Sequence, residues 1–107
     1  MQLLETFKLG GSPVAEKDKV VRELFNGSRR RILEIKLINN AVLTRHKAAE
    51  PITVLCLAGN GLFRAGVDLE DELPLKPGTF LTLEADIDHE AVAEPALHLL
   101  VTRFKEI

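Results

Sequence analysis

A chain of 107 residues that is 46% hydrophobic and 28% charged fits one domain with one modest core and excludes an intrinsically disordered segment. Fourteen basic residues against sixteen acidic ones leave a net charge of −2, and there is no Trp or Tyr. The chain therefore offers neither the basic surface of a general nucleic-acid binder nor the aromatic platform on which single strands stack.

The first residues, Met1-Gln2-Leu3-Leu4-Glu5, lack the basic start and apolar run of a secretory signal. No stretch approaches the ~20 apolar residues of a membrane span. Leu3 to Leu9 reads as a short edge strand, and Gly10-Gly11-Ser12-Pro13 breaks it. Ala15 to Asn26 carries both helical spacing (Val20, Val21, Leu24, Phe25) and a strand-like Val content. We read it as a strand ending at an Asn26-Gly27 hairpin turn. Residues 1–29 thus form N-terminal strands or an arm on a single domain spanning 1–107. Arg29-Arg30-Arg31 reads as a solvated strand edge that discourages aggregation.

From Arg30 onward the pattern is β. Leu33, Ile35 and Leu37 alternate with Glu34 and Lys36, the period of a half-buried strand. Asn39-Asn40 turns the chain into Ala41–His46. Ile52 to Ala58 is apolar at every position but Thr53, as in a central strand covered on both faces. Its Cys56 is the single cysteine, so no intramolecular disulfide forms, and its setting suits a buried inert thiol in a reducing cytoplasm. Gly59-Asn60-Gly61 reads as a hairpin turn into Leu62-Phe63-Arg64, followed by a strand over Val67–Leu73. In Pro77-Gly78 the proline fixes φ and the glycine accepts a positive φ, which makes another turn. Phe80–Leu83, His89–Ala93 and Leu97–Phe104 complete the set, with Glu94-Pro95 as the last turn. Many short strands with regular turn signals predict an all-β sandwich or barrel.

Two segments carry the chemistry. The first runs from Thr44-Arg45-His46 through Glu50-Pro51-Ile52 to Gly59-Asn60-Gly61. The second runs from Pro77-Gly78 to Asp86-Ile87-Asp88-His89. Together they resemble the two motifs of the cupin family. His46 stands at the second histidine of the first motif, Thr44 at the first, and Ile52 at the family glutamate. Gly78 and His89 match the second motif. The resemblance implies a cupin-like double-stranded β-helix, or jelly-roll barrel, with a pocket between its sheets and a degenerate metal-binding motif. It also implies a homodimer, since small cupins pair through their sheets.

His46 and His89 are thus the first candidate ligands, because neutral imidazole binds Zn, Fe, Ni or Mn. An open catalytic metal site takes three protein ligands. His98 is the expected third and Glu50 the alternative. A hairpin at Glu94-Pro95 with an even loop brings His98 to the face of His89, and a three-residue loop sends it to the other. Glu50, followed by Pro51, reads as solvated at the barrel mouth. No nucleophile–base pair is legible around Ser12, Ser28 or Cys56. Three readings stand open: a small-molecule or metal-binding cupin, with or without a bound ion; a metal-dependent dioxygenase or isomerase; and a dimeric regulatory or assembly module.

Overall fold

Two long strands that bend in step organise this chain. The structure, a computed structural model, describes residues 17–105. Among them are seven strands: β1 (Lys19–Asn26), β2 (Arg30–Leu37), β3 (Val42–His46), β4 (Ile52–Ala65), β5 (Asp71–Leu75), β6 (Phe80–Leu83) and β7 (His89–Phe104). All pairings are antiparallel. None of the described residues is helical, and no helix is long and apolar enough to cross a membrane. The predicted strand over Leu3–Leu9 lies outside the described residues.

β4 and β7 pair along nearly their whole length, from Ile52 opposite Arg103 to Ala65 opposite His89. The C-terminal half of β7 also pairs with β2, which carries β1, and the N-terminal half of β4 pairs with β6. In their other halves, β7 pairs with β3 and β4 with β5. The ladder is therefore continuous, yet it forms two facing layers: β1-β2-β7-β4-β6 and β3-β7-β4-β5.

The crossing between layers corrects two sequence expectations. Gly59-Asn60-Gly61 is not a hairpin turn. It is the bend of β4, with register shifts at Cys56/Ala58 and Gly59/Gly61. Glu94-Pro95, whose peptide bond is cis, is not a hairpin turn either; it is the bend of β7. The cause is close approach. A Cβ on Gly59 would lie 2.1 Å from the Ala96 carbonyl oxygen, and one on Gly61 would lie 2.2 Å from that of Val92. Glycine lets the two backbones touch where both turn the same corner.

Other turns fall near their predicted places. Asn39 and Asn40 both adopt positive φ, at 56° and 60°, and the Ala41 N–H donates to the Ile38 carbonyl, so short amide side chains supply a primed turn. Gly78 has φ 92° after Pro77, and the Thr79 N–H donates to Lys76. The β1–β2 hairpin closes one step later than Asn26-Gly27. The Gly27 N–H donates to the Arg30 carbonyl, which leaves Ser28-Arg29 at the tip. The Phe25 ring packs over Gly27, 2.5 Å from where a Cβ would stand. The strand expected over Val67–Leu73 begins only at Asp71. A turn closed by the Leu69 N–H on the Gly66 carbonyl precedes it, and Val67 is exposed.

The core lies between the layers. Leu33, Ile35 and Leu37 of β2, Ile52, Val54 and Cys56 of β4, and Leu97, Leu99 and Val101 of β7 are buried, together with Phe63, Ala91 and Ala93. Alternate residues of β4, such as Leu55 and Leu57, face outward and are half-buried, so this central strand is fully covered on one face only. Burial raises the pKa of the Cys56 thiol, which keeps it protonated and inert.

Gly59→Ala should cost roughly 3 kcal/mol, since it combines a positive φ of 88° with a backbone collision. Gly78→Ala, with the same φ problem and open space around it, should cost about 1–2 kcal/mol. Urea denaturation of the two variants checks the order.

Candidate functional site

Between the layers lies a cavity of about 200 Å³. Leu33 and Ile35 of β2, Val54 of β4, and Leu99 and Val101 of β7 line its apolar interior together with Phe63. For scale, an apolar cavity of ~150 Å³ admits benzene. His46, Lys47, His89 and Arg103 also line it. Among its lining residues there is no carboxylate.

Register brings the two histidines together. His46, the last residue of β3, pairs with His89, the first of β7, and their ring centroids are 4.3 Å apart. Phe63 on β4 stacks on His89 at 5.6 Å with 16° between planes. His46 is exposed and His89 is buried. Both use the same local device: His46 Nδ1 lies 2.9 Å from the Thr44 carbonyl, and His89 Nδ1 lies 2.9 Å from the Ile87 carbonyl. A carbonyl oxygen only accepts, so each Nδ1 carries the proton and each Nε2 presents a lone pair. Burial pushes the His89 pKa down. The Ile87 carbonyl opposes that shift, and neighbouring His46 adds to it, so the imidazole is neutral near pH 7.

The intervening residues fasten the two strand ends. Arg45 Nη2 donates to Asp88 Oδ2 at 2.6 Å and also reaches the Val67 carbonyl. That hydrogen bond with Arg45 holds the Asp88 carboxyl below the usual range. The pair joins the strand of His46 to the residue that precedes His89.

His98 is not with them. β7 is one continuous strand whose odd-numbered residues His89, Ala91, Leu99, Val101 and Arg103 face the cavity. His98, nine places beyond His89, therefore points to the opposite face. The hairpin parity expected at Glu94-Pro95 does not apply, because no hairpin forms there. On that outer face His98 Nε2 donates to Glu34 Oε2 at 2.8 Å, and Arg22 bonds Glu34 Oε1 at 3.0 Å. Both His98 and Glu34 are buried. Burial would raise the Glu34 carboxyl, but the His98 hydrogen bond and the Arg22 charge outweigh it and hold the pKa low.

Glu50 is not a solvated mouth residue. Its Oε2 accepts from Arg103 Nη2 at 2.8 Å, and this bond lowers its pKa. With Glu50 bound to Arg103 and His98 to Glu34, the described residues supply two imidazoles and no third ligand. No group of three metal-ligating side chains occurs among them. That donor set does not fit the three-ligand open metal site.

Sequence reasoning missed Arg103 and Lys47. The available signal was parity: in Leu99-Val101-Arg103, an arginine occupies the inward register of an otherwise apolar strand face. The Arg103 Nε is buried and has no hydrogen-bond partner, which is costly unless a ligand or water meets it.

Comparison with known proteins agrees with this architecture. A conserved protein of unknown function from Streptococcus pyogenes superposes with a TM-score of 0.79 at 19% identity, covering 99% of this chain and 94% of that one. An RmlC-like cupin from Desulfovibrio desulfuricans gives 0.80 at 19% identity over 92% and 94% of the two chains. An RmlC-like cupin with a double-stranded β-helix fold from Methanocaldococcus jannaschii gives 0.76 at 13% identity over 96% and 92%. No protein-family model and no curated protein matches the sequence. At these identities the likeness is one of fold.

His98→Ala should destabilise the protein by on the order of 1–3 kcal/mol, by leaving Glu34 buried and short of a partner, while NMR signals of His46 and His89 stay in place. The lowered His89 pKa predicts a pH effect. Above about 6.5 both folded and unfolded states hold a neutral imidazole there. Below it the unfolded state binds the proton first, so stability falls as pH drops towards the folded pKa. His89→Gln should flatten that part of the stability–pH curve, measured by denaturation at pH 7 and pH 5.5.

Proposed function

We propose that this chain, which has the RmlC-like cupin fold, is a binding module for a small organic molecule. The observation that carries this reading is the pair of imidazoles, 4.3 Å apart, held in one tautomer at the rim of an apolar cavity of about 200 Å³. An apolar cavity with a few convergent polar groups is the usual form of a small-ligand site. The two Nε2 lone pairs accept hydrogen bonds from a donor on the ligand, and the apolar walls take its body. Phe63 holds His89 in place by stacking.

The same two lone pairs are a partial donor set for a divalent ion such as Zn, Fe, Ni or Mn. A chelating ligand with its own donor atoms would complete the shell. This reading differs from the first in one measurable respect. Protein purified without added metal should carry substoichiometric metal by elemental analysis if the site is metal-free, and one equivalent if the ion is resident.

We further propose that two copies of the chain associate through the outer face of the larger layer. Phe80, Leu55 and Leu100 form one row across β6, β4 and β7, since Phe80 pairs with Leu55 and Leu55 with Leu100. Residues opposite one another share a face. Phe80 is 63% exposed, and Phe104 on the same face of β7 is 42% exposed. Burial of such side chains contributes ~25 cal/mol per Å².

His46→Ala should weaken binding of small aromatic ligands about tenfold, read by calorimetry. Sedimentation velocity at micromolar concentration should give a dimer, and Phe80→Glu should yield a monomer with an unchanged circular-dichroism spectrum.

A further inference from the structure

The charges around the cavity narrow the class of ligand. Arg103 and Lys47 are the charged side chains that line it. Glu50 neutralises Arg103 on one side only, through Nη2, and leaves the buried Nε without a partner. A second cation, Lys47, stands exposed next to His46. The cavity lining thus carries polar groups of opposite hydrogen-bonding sense. His46 and His89 offer acceptors, because both Nδ1 protons are already spent on backbone carbonyls. Arg103 and Lys47 offer donors with positive charge and accept nothing. The rest of the wall is mostly apolar and includes Val54, Phe63, Leu99 and Val101.

A neutral apolar guest leaves both kinds of group unsatisfied, and a cationic one is repelled by the two cations. A plain carboxylate satisfies Arg103 but gives the histidines no donor. A molecule that carries both a carboxylate and a hydroxyl satisfies both. From the paired imidazole acceptors and the cationic donors Arg103 and Lys47 in the lining of one apolar cavity, we propose that the ligand is a small hydroxy acid with an apolar body no larger than a single ring. Its carboxylate lies on Arg103 and Lys47, and its hydroxyl donates to His46 or His89. Arg103 discriminates acids from their neutral analogues because guanidinium–carboxylate hydrogen bonds are charge-assisted. This proposal rests on the small-molecule reading above.

The test uses the full chain and the three hydroxybenzoate isomers, each with its amide, plus benzoate and benzylamine. Affinity is read by calorimetry and position by NMR of the His46 and His89 rings. At least one hydroxybenzoate should bind tenfold or more tightly than both its own amide and benzoate. Arg103→Gln, paired with Glu50→Gln so that the partner carboxylate is not left unpaired, should erase the acid-over-amide preference. Lys47→Gln changes an exposed residue and leaves the fold intact; it should reduce that preference about threefold. His46→Phe, which removes one of the two acceptors, should reduce the preference for hydroxybenzoate over benzoate about threefold or more. Equal binding of acid and amide, or tighter binding of benzylamine, with shifts at both histidines, would overturn the hydroxy-acid assignment and leave the small-molecule reading standing. No shift at either histidine with any probe would overturn both.

Discussion

Everything in this fold follows from the contact between β4 and β7 at their common corner. Each strand is too long for one flat layer, and each bends where its partner bends. A bend in only one of them would break the ladder. The contact is backbone on backbone: Gly59 against Ala96 and Gly61 against Val92, with no space for a Cβ. The two strands then carry their remaining partners outward, β2 and β6 in one layer and β3 and β5 in the other. The cavity is the space that this corner encloses. His89 and Arg103 line it from the two ends of a single strand, His89 in the smaller layer and Arg103 in the larger.

The histidines show how environment assigns roles to identical side chains. His89 is buried against Phe63 and donates to a backbone carbonyl, so burial favours its neutral form. His98 is equally buried but faces a carboxylate that also holds Arg22. That cluster tightens the outer face of the larger layer and contributes nothing to the cavity. Losing one member would strand the others, since buried polar groups are costly when unpaired. The Arg103–Glu50 pair has a third character. It is partly exposed, anchors the start of β4 to the end of β7, and leaves one buried arginine nitrogen without a partner.

A fold shared at under a fifth sequence identity says where a site is built, and the side chains say what the site prefers. Here the scaffold supplies a partly open, mostly apolar space with four polar residues in its lining. Two are acceptors and two are cationic donors. On the proposed small-molecule reading, this division narrows the ligand class more sharply than the likeness of architecture does.

Much of this was legible in the sequence, because it depends on neighbours along the chain. The alternation Leu33-Glu34-Ile35-Lys36-Leu37 fixed a strand and its buried face. Asn39-Asn40 and Pro77-Gly78 fixed turns, since few other residues accept those dihedrals. The placing of His46 and His89 at strand ends came from motif spacing. The tertiary structure alone decided the rest. Glycine and proline mark a hairpin and a bend with the same local chemistry, so Gly59-Asn60-Gly61 and Glu94-Pro95 could not reveal which they were. The choice depends on whether a second backbone lies alongside and bends too. That one choice set the face of His98 relative to His89 and left it with Glu34 from a distant strand. A strand's two faces are equivalent until its partners are in place.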